Sequence, residues 1–258
     1  MSTFDDADRT APPERLAAGR RRRPTKTGTV LDHDLIVRTA LRLLSRHGSE
    51  ALSVRRLGTA LGADPSSVYR YFRSTDDLVL AVADELIGMS LRDVYVSGDW
   101  RADLRRIGTG LHRVYTAHPQ AAVLAASRVT RRPNEIKGVE IGLGVLRGAG
   151  FSRDESSRHY HRFIDLTLGF AAIDAAAMAL PPQAAAADRA AWRAAYADLP
   201  ADRYPHIAES VDALAETMNG SAYAGALELF LDGLELALRR GMGTDPVGRP
   251  TGGPADGT

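Results

Sequence analysis

Between positions 64 and 75 the chain reads D-P-S-S-V-Y-R-Y-F-R-S-T, a run dense in hydrogen-bonding side chains. Ser66, Ser67, Tyr69, Arg70 and Tyr71 bring hydroxyls that donate and accept, phenol rings that stack, and one planar guanidinium fork. Ser53 and Arg55 repeat the theme at the start of the segment before it. Hydroxyls and an arginine fork can bond base edges or phosphates, and tyrosine rings can rest on a thymine methyl or a sugar. A second set, His112, Tyr115, Arg128, His159, Phe163, Phe170 and Met178, mixes aromatic, apolar and cationic groups suited to lining a small-molecule cavity.

Bond-making chemistry finds less support. The 258 residues contain no cysteine, which removes disulfides, thiolate nucleophiles and cysteine-built zinc sites. The chain has no Walker loop, no G-x-S-x-G elbow and no H-E-x-x-H pair, and the glycines 142, 144 and 148 have the wrong spacing for a dinucleotide loop. His159 and His161 are two apart and so point to different helix faces, which argues against a shared metal ion. His161 and Asp165, four apart, read as a helix-surface pair. No cofactor or metal is expected. No stretch has the length of apolar sequence a membrane span needs, and no apolar core follows the early arginines, so a cytoplasmic protein is expected.

Charge is unevenly distributed. Residues 15–80 carry 13 Arg and Lys against six Asp and Glu, while the whole chain nets only +1. A basic front end suits an anionic polymer met by that end alone.

The elements that would hold these residues are all helical. Asp32 is placed to cap a first helix with Leu35, Ile36, Ala40, Leu43 and Leu44 at helical spacing, and Gly48 to end it. Ser53 caps a second helix ending at Gly62, and Asp64 followed by Pro65 opens a short third. Leu41, Leu44, Val54, Leu57, Leu61, Val68 and Phe72 would form the core of this trio. Ser74 or Thr75 caps a fourth helix running towards Leu91. Further helices are expected around 104–117 and 136–147, then a long one from a Ser152/Glu155 capping box to about 180, where Pro181-Pro182 stops it. Residues 183–198 read as a short Ala-rich helix within a connection, and the last helix covers about 221–240. Residues 1–29 and 241–258, rich in Arg, Pro, Gly and Thr, are expected to be disordered.

Two helices joined by Gly62-Ala63-Asp64 fit helix-turn-helix geometry. From about 31 to 87 the chain resembles the DNA-binding domain of the TetR family of bacterial transcriptional regulators. The resemblance is carried by Gly48, Leu52-Ser53-Val54, Leu61-Gly62 and the six residues Ser67, Val68, Tyr69, Arg70, Tyr71 and Phe72, all at matching spacing. Trp100, Leu104, His118-Pro119 and Ala149-Gly150-Phe151 are similar, more loosely, to the ligand-binding domain of the tetracycline-repressor-like branch.

The resemblance implies an all-α protein: an N-terminal three-helix reading domain (30–78) and a larger C-terminal domain (79–240) for effector binding and dimerisation. It places the third helix in the major groove of a palindromic operator, with Ser53, Arg55, Ser66, Ser67, Tyr69, Arg70, Tyr71 and Thr75 at the DNA. The family commonly has lysine where this chain has neutral Thr75, and the arm carrying Arg22, Arg23 and Lys26 would compensate along the phosphates. It further implies a homodimer built from residues 152–180 and 221–240. Its effector would be a small molecule bound by His112, Tyr115, Arg128, His159, Phe163, Phe170 and Met178. Repression is the expected outcome; a transcriptional activator, a non-specific architectural DNA binder and an enzyme are the competing readings.

Overall fold

The computed structural model describes residues 30–48, 50, 52–218 and 220–243. Arg22, Arg23 and Lys26, the arm 1–29 and most of the tail lie outside them. Among the described residues there is no β-strand, and the order is α1 (His33–His47), α2 (Val54–Leu61), α3 (Pro65–Val68), α4 (Thr75–Ser90), α5 (Trp100–Ala117), α6 (Pro119–Ala125), α7 (Pro133–Gly148), α8 (Arg153–Ala179), α9 (Pro182–Ala197), α10 (Pro205–Thr217) and α11 (Tyr223–Gly243).

The helix starts follow from local side chains. Asp32 accepts from the Leu35 amide at 2.7 Å, Asp64 from Ser66 at 2.8 Å and Ser74 from Asp77 at 3.1 Å. Each satisfies an amide that the first helical turn leaves without a partner. Ser152 and Glu155 form both halves of the capping box that opens the 27-residue α8. Two helices were not legible from the sequence. α6 starts on Pro119 with no side-chain cap, and α10 has no buried residue, so neither presents an apolar stripe with a clear start. The Ala-rich segment forms a full 16-residue helix, and Pro182 begins it rather than merely ending α8.

α2 and α3 meet at a turn whose left-handed backbone glycine adopts without strain. Gly62 ends α2 at φ 61°, in the left-handed region, with its amide bonded back into the helix. Gly58 lies directly beneath: a Cβ there would stand 2.9 Å from the Ala63 carbonyl oxygen and 3.2 Å from the Pro65 nitrogen. Both obstacles are backbone and cannot swing aside. Gly58→Val should therefore destabilise the protein by about 1–3 kcal/mol, read as a fall in the thermal midpoint by circular dichroism.

Two apolar clusters fill the protein. The first joins Leu41, Leu44, Val54, Leu57, Leu61, Val68 and Phe72 of the trio to Leu78, Val82 and Leu86 of α4, then to Leu111 and Tyr115 of α5 and the alanines of α6. The second gathers Leu104, Leu146, Phe163, Leu227, Leu231 and Leu234 from α5, α7, α8 and α11. On the outside of the second, Arg101 reaches Glu228, Asp232 and Glu235 at 2.9, 2.6 and 3.2 Å, tying α5 to α11. α9 and α10 pack on each other, with Arg193 and Asp212 paired at 3.1 Å, and bury no residue fully.

Candidate nucleic-acid interface and ligand cavity

α3 is a single turn, Pro65–Val68, fixed from below by Val68 and Phe72, which are 0% and 1% exposed. Anchoring through these two leaves Tyr69 and Arg70, between them, outside. Ser66, Arg70 and Tyr69 are exposed, Tyr69 to 54%, and Ser67 is half-buried. Arg55 and Thr75 are exposed at the first turns of α2 and α4. Ser53 caps α2 by accepting from the Arg56 amide at 3.3 Å. It borders an open hollow of about 600 Å³ with His47, Arg55 and Arg56.

Tyr71 departs from the expected reading face. It is half-buried, and its hydroxyl donates to the Leu31 carbonyl at 2.6 Å, so it fastens the chain before α1 to the end of the reading segment. Two residues after Tyr69, it lies on the opposite side of the turn.

A cavity of about 340 Å³ lies between five segments. α4 contributes Ile87, Ser90 and Leu91, α5 contributes Ile107, Leu111 and Tyr115, and α7 contributes Glu135, Gly138 and Val139. α8 contributes Tyr160, His161, Ile164, Asp165 and Leu168, and the segment before α7 contributes Ala126 to Val129. Of the residues expected to line it, Tyr115 and Arg128 do. Burial raises the Tyr115 phenol above its ordinary value, with the charges of Glu135 and Asp84 adding to it. Burial first and Glu135 second push Tyr160 up to about 12.

The other five expected residues stand away from the cavity. Phe163 is 0% exposed inside the second cluster, near Phe230. His112 stacks on Tyr223 at 4.4 Å and bonds Asp174 at 2.7 Å, towards α8 and α11. Phe170 also packs toward Tyr223, at 5.9 Å. His159 packs on Phe151, and burial lowers its pKa. Met178, 59% exposed, sits near the end of α8. His161 and Asp165 pair at 3.3 Å as the exposed helix-surface pair their spacing predicts, at the rim of the cavity.

Residues 127–135 strap the cavity to α4. Asp84, buried in α4, accepts from the Thr130 hydroxyl at 3.2 Å, the Glu135 amide at 3.0 Å and the Asn134 side chain at 3.0 Å. Arg128 pairs with Asp76 and Arg132 with Asp77, each at 2.6 Å, in the first turn of α4. Arg131 has φ 57°, the one positive value outside glycine among the described residues. That conformation costs about 1–2 kcal/mol, and here the Arg131 amide donates to the Glu135 carboxylate. Among the described residues no three His, Asp or Glu gather to hold a metal, and no single helix is long and apolar enough to cross a membrane.

Comparison with known proteins agrees with this arrangement. Residues 36–82 match the bacterial regulatory proteins of the tetR family, and residues 96–238, more than half of the chain, match the tetracyclin repressor-like C-terminal domain. The chain belongs to the TetR family. It is thus a helix-turn-helix transcriptional regulator, and its family is one of DNA-binding proteins rather than enzymes. An HTH-type transcriptional regulator of Saccharopolyspora erythraea is 34% identical over 129 residues, 50% of this chain and 55% of that one. The match thus spans about half that relative's length. The HTH-type transcriptional repressor DrrR1 of Streptomyces coeruleorubidus is 28% identical across 85% of this chain and 84% of its own. The TetR family protein ActR of Streptomyces coelicolor, solved in complex with actinorhodin, superposes with a TM-score of 0.68 at 25% identity, covering 83% of this chain and 99% of that one.

Which wall of this TetR chain faces the cavity could have been sought in one α8 pattern. Tyr160, Ile164 and Leu168 repeat every four residues, one helical row apart from the core row of Phe163, Thr167 and Ala171.

Proposed function

We propose that the protein is a repressor that binds a palindromic operator as a homodimer and leaves it when a small molecule fills the cavity. On this reading residues 30–78 bind DNA, and residues 79–240 bind the effector and form the dimer. The observation that carries it is the double position of α4. Its first turn follows the reading segment directly, while Ile87, Ser90 and Leu91 near its other end form a cavity wall. A ligand that prefers a displaced α4 would shift the reading segments of both subunits, and differential affinity of that kind is what a ligand switch requires. The naming of a relative as a repressor, and of ActR as a complex with a small molecule, supports the reading.

In this assembly Ser66, Ser67, Tyr69 and Arg70 face the major groove, with Ser53, Arg55 and Thr75 along the phosphates. Two subunits then reach half-sites about 34–36 Å apart. Footprinting on DNA upstream of the protein's own gene should protect an inverted repeat, and the absence of any such repeat overturns the proposal. Arg70→Ala should weaken the protected site by about 1–3 kcal/mol while changing binding to random duplex much less. Equal losses on both would remove Arg70 from base reading.

A further inference from the structure

The charges around the cavity are unevenly matched. Arg128 is engaged by Asp76 at 2.6 Å, and Asp165 faces His161 at 3.3 Å. Glu135 has no salt bridge: one of its oxygens takes the Thr130 hydroxyl at 2.7 Å and the Arg131 amide, and the other accepts no hydrogen bond among the described residues. It shares the cavity with two phenol rings, Tyr115 and Tyr160, and with aliphatic walls. A carboxylate oxygen with neither a donor nor an ion-pair partner leaves negative charge open to a cation, and ring faces attract cations.

We propose that the effector is an organic cation, a protonated amine or quaternary ammonium on an apolar ring-bearing body, held by Glu135 between Tyr115 and Tyr160. This rests on the reading of the cavity as the effector site and names its chemistry. It also gives the signal a route. Glu135 is bonded through its amide to Asp84 of α4 and through its carboxylate to the strap residues Thr130 and Arg131. A cation drawn to the free oxygen pulls on the same carboxylate that holds the strap, and the strap holds α4. An anion would have to take Arg128 from Asp76 while approaching Glu135 and Asp165.

Three naphthalene probes of matched shape separate the cases: 1-naphthylmethylammonium, neutral 1-naphthalenemethanol and anionic 1-naphthoate, each titrated calorimetrically into the full-length protein at neutral pH. The ammonium should bind about tenfold more tightly than the alcohol, and the carboxylate more weakly than either. Glu135→Gln should bring the ammonium within about twofold of the alcohol, since the charge is removed and the side-chain size is kept. Equal affinities, a preference for the carboxylate, failure of all three to bind, or an ammonium preference that survives Glu135→Gln overturns the proposal. Because the ranking is measured on the unaltered chain, a variant that does not fold leaves the decision to that ranking. Release of the protected DNA fragment is followed separately by fluorescence anisotropy. The cation ranking without release upholds this inference and removes the switch, whereas release with a different ranking upholds the switch and removes this inference.

Discussion

Phe163→Ala should destabilise the protein by about 3–5 kcal/mol, a fall of roughly 6–20 °C in thermal midpoint for a chain of this size. The ring is 0% exposed and sits among Leu104, Leu146, Leu227 and Leu231. Truncation removes its transfer free energy and leaves a void that four packed helices cannot close. Probe binding in the cavity should be almost unchanged in the fraction that remains folded, because Phe163 is not part of its wall. Met178→Ala is the control: at 59% exposure it should cost under about 0.5 kcal/mol. A stable Phe163→Ala protein with lost ligand affinity would return this residue to the cavity and contradict the packing described here.

In the proposed homodimer, Leu229→Asp should separate the two subunits. α11 buries Leu227, Leu231, Leu234 and Leu238 inside its own chain, yet leaves Leu229 74% and Leu236 48% exposed on the opposite side. On α8, Ile173 is 69% exposed, and nothing lies near Gly169, Gly225 or Gly233 where a side chain would stand. Large apolar residues beside bare backbone on two long helices suit a close, self-complementary contact with a second copy. A carboxylate at its centre, present twice in a two-fold pair, should cost about 2–4 kcal/mol of association, roughly 30- to 1,000-fold. Light scattering would then report monomers at micromolar protein, and affinity for the operator should fall in parallel. A dimer that persists unchanged in Leu229→Asp would place the interface elsewhere.

What the sequence disclosed depended on how local the cause was. The caps Asp32, Ser53, Asp64 and Ser152 act on amides two or three residues away, so residue type and spacing were enough to find them. The core of the reading domain was equally legible, because each of its short helices has one apolar stripe and only one place to bury it. α8 differs. It is covered along two faces, by the second cluster and by the cavity, and both faces carry aromatic residues. Sequence spacing cannot say which row meets packed side chains and which meets a hollow. Spacing alone therefore points to Phe163 and His159, whereas Tyr160 and Ile164 wall the cavity. Tyr71 is similar: its partner, the Leu31 carbonyl, lies 40 positions away, beyond the reach of local spacing.

The shared apolar cluster constrains how such a regulator could change its ligand. Leu111 and Tyr115 touch the cavity and also belong to the cluster that supports Leu44 and Phe72 beneath the DNA-facing turn. Retuning the α5 wall therefore disturbs the platform that reads the operator. Gly138 and Val139 on α7 meet the same hollow and are not members of that cluster. If the cavity holds the effector as proposed, divergence towards new inducers has its least encumbered course along α7, where taste can drift while the grip on the promoter is preserved.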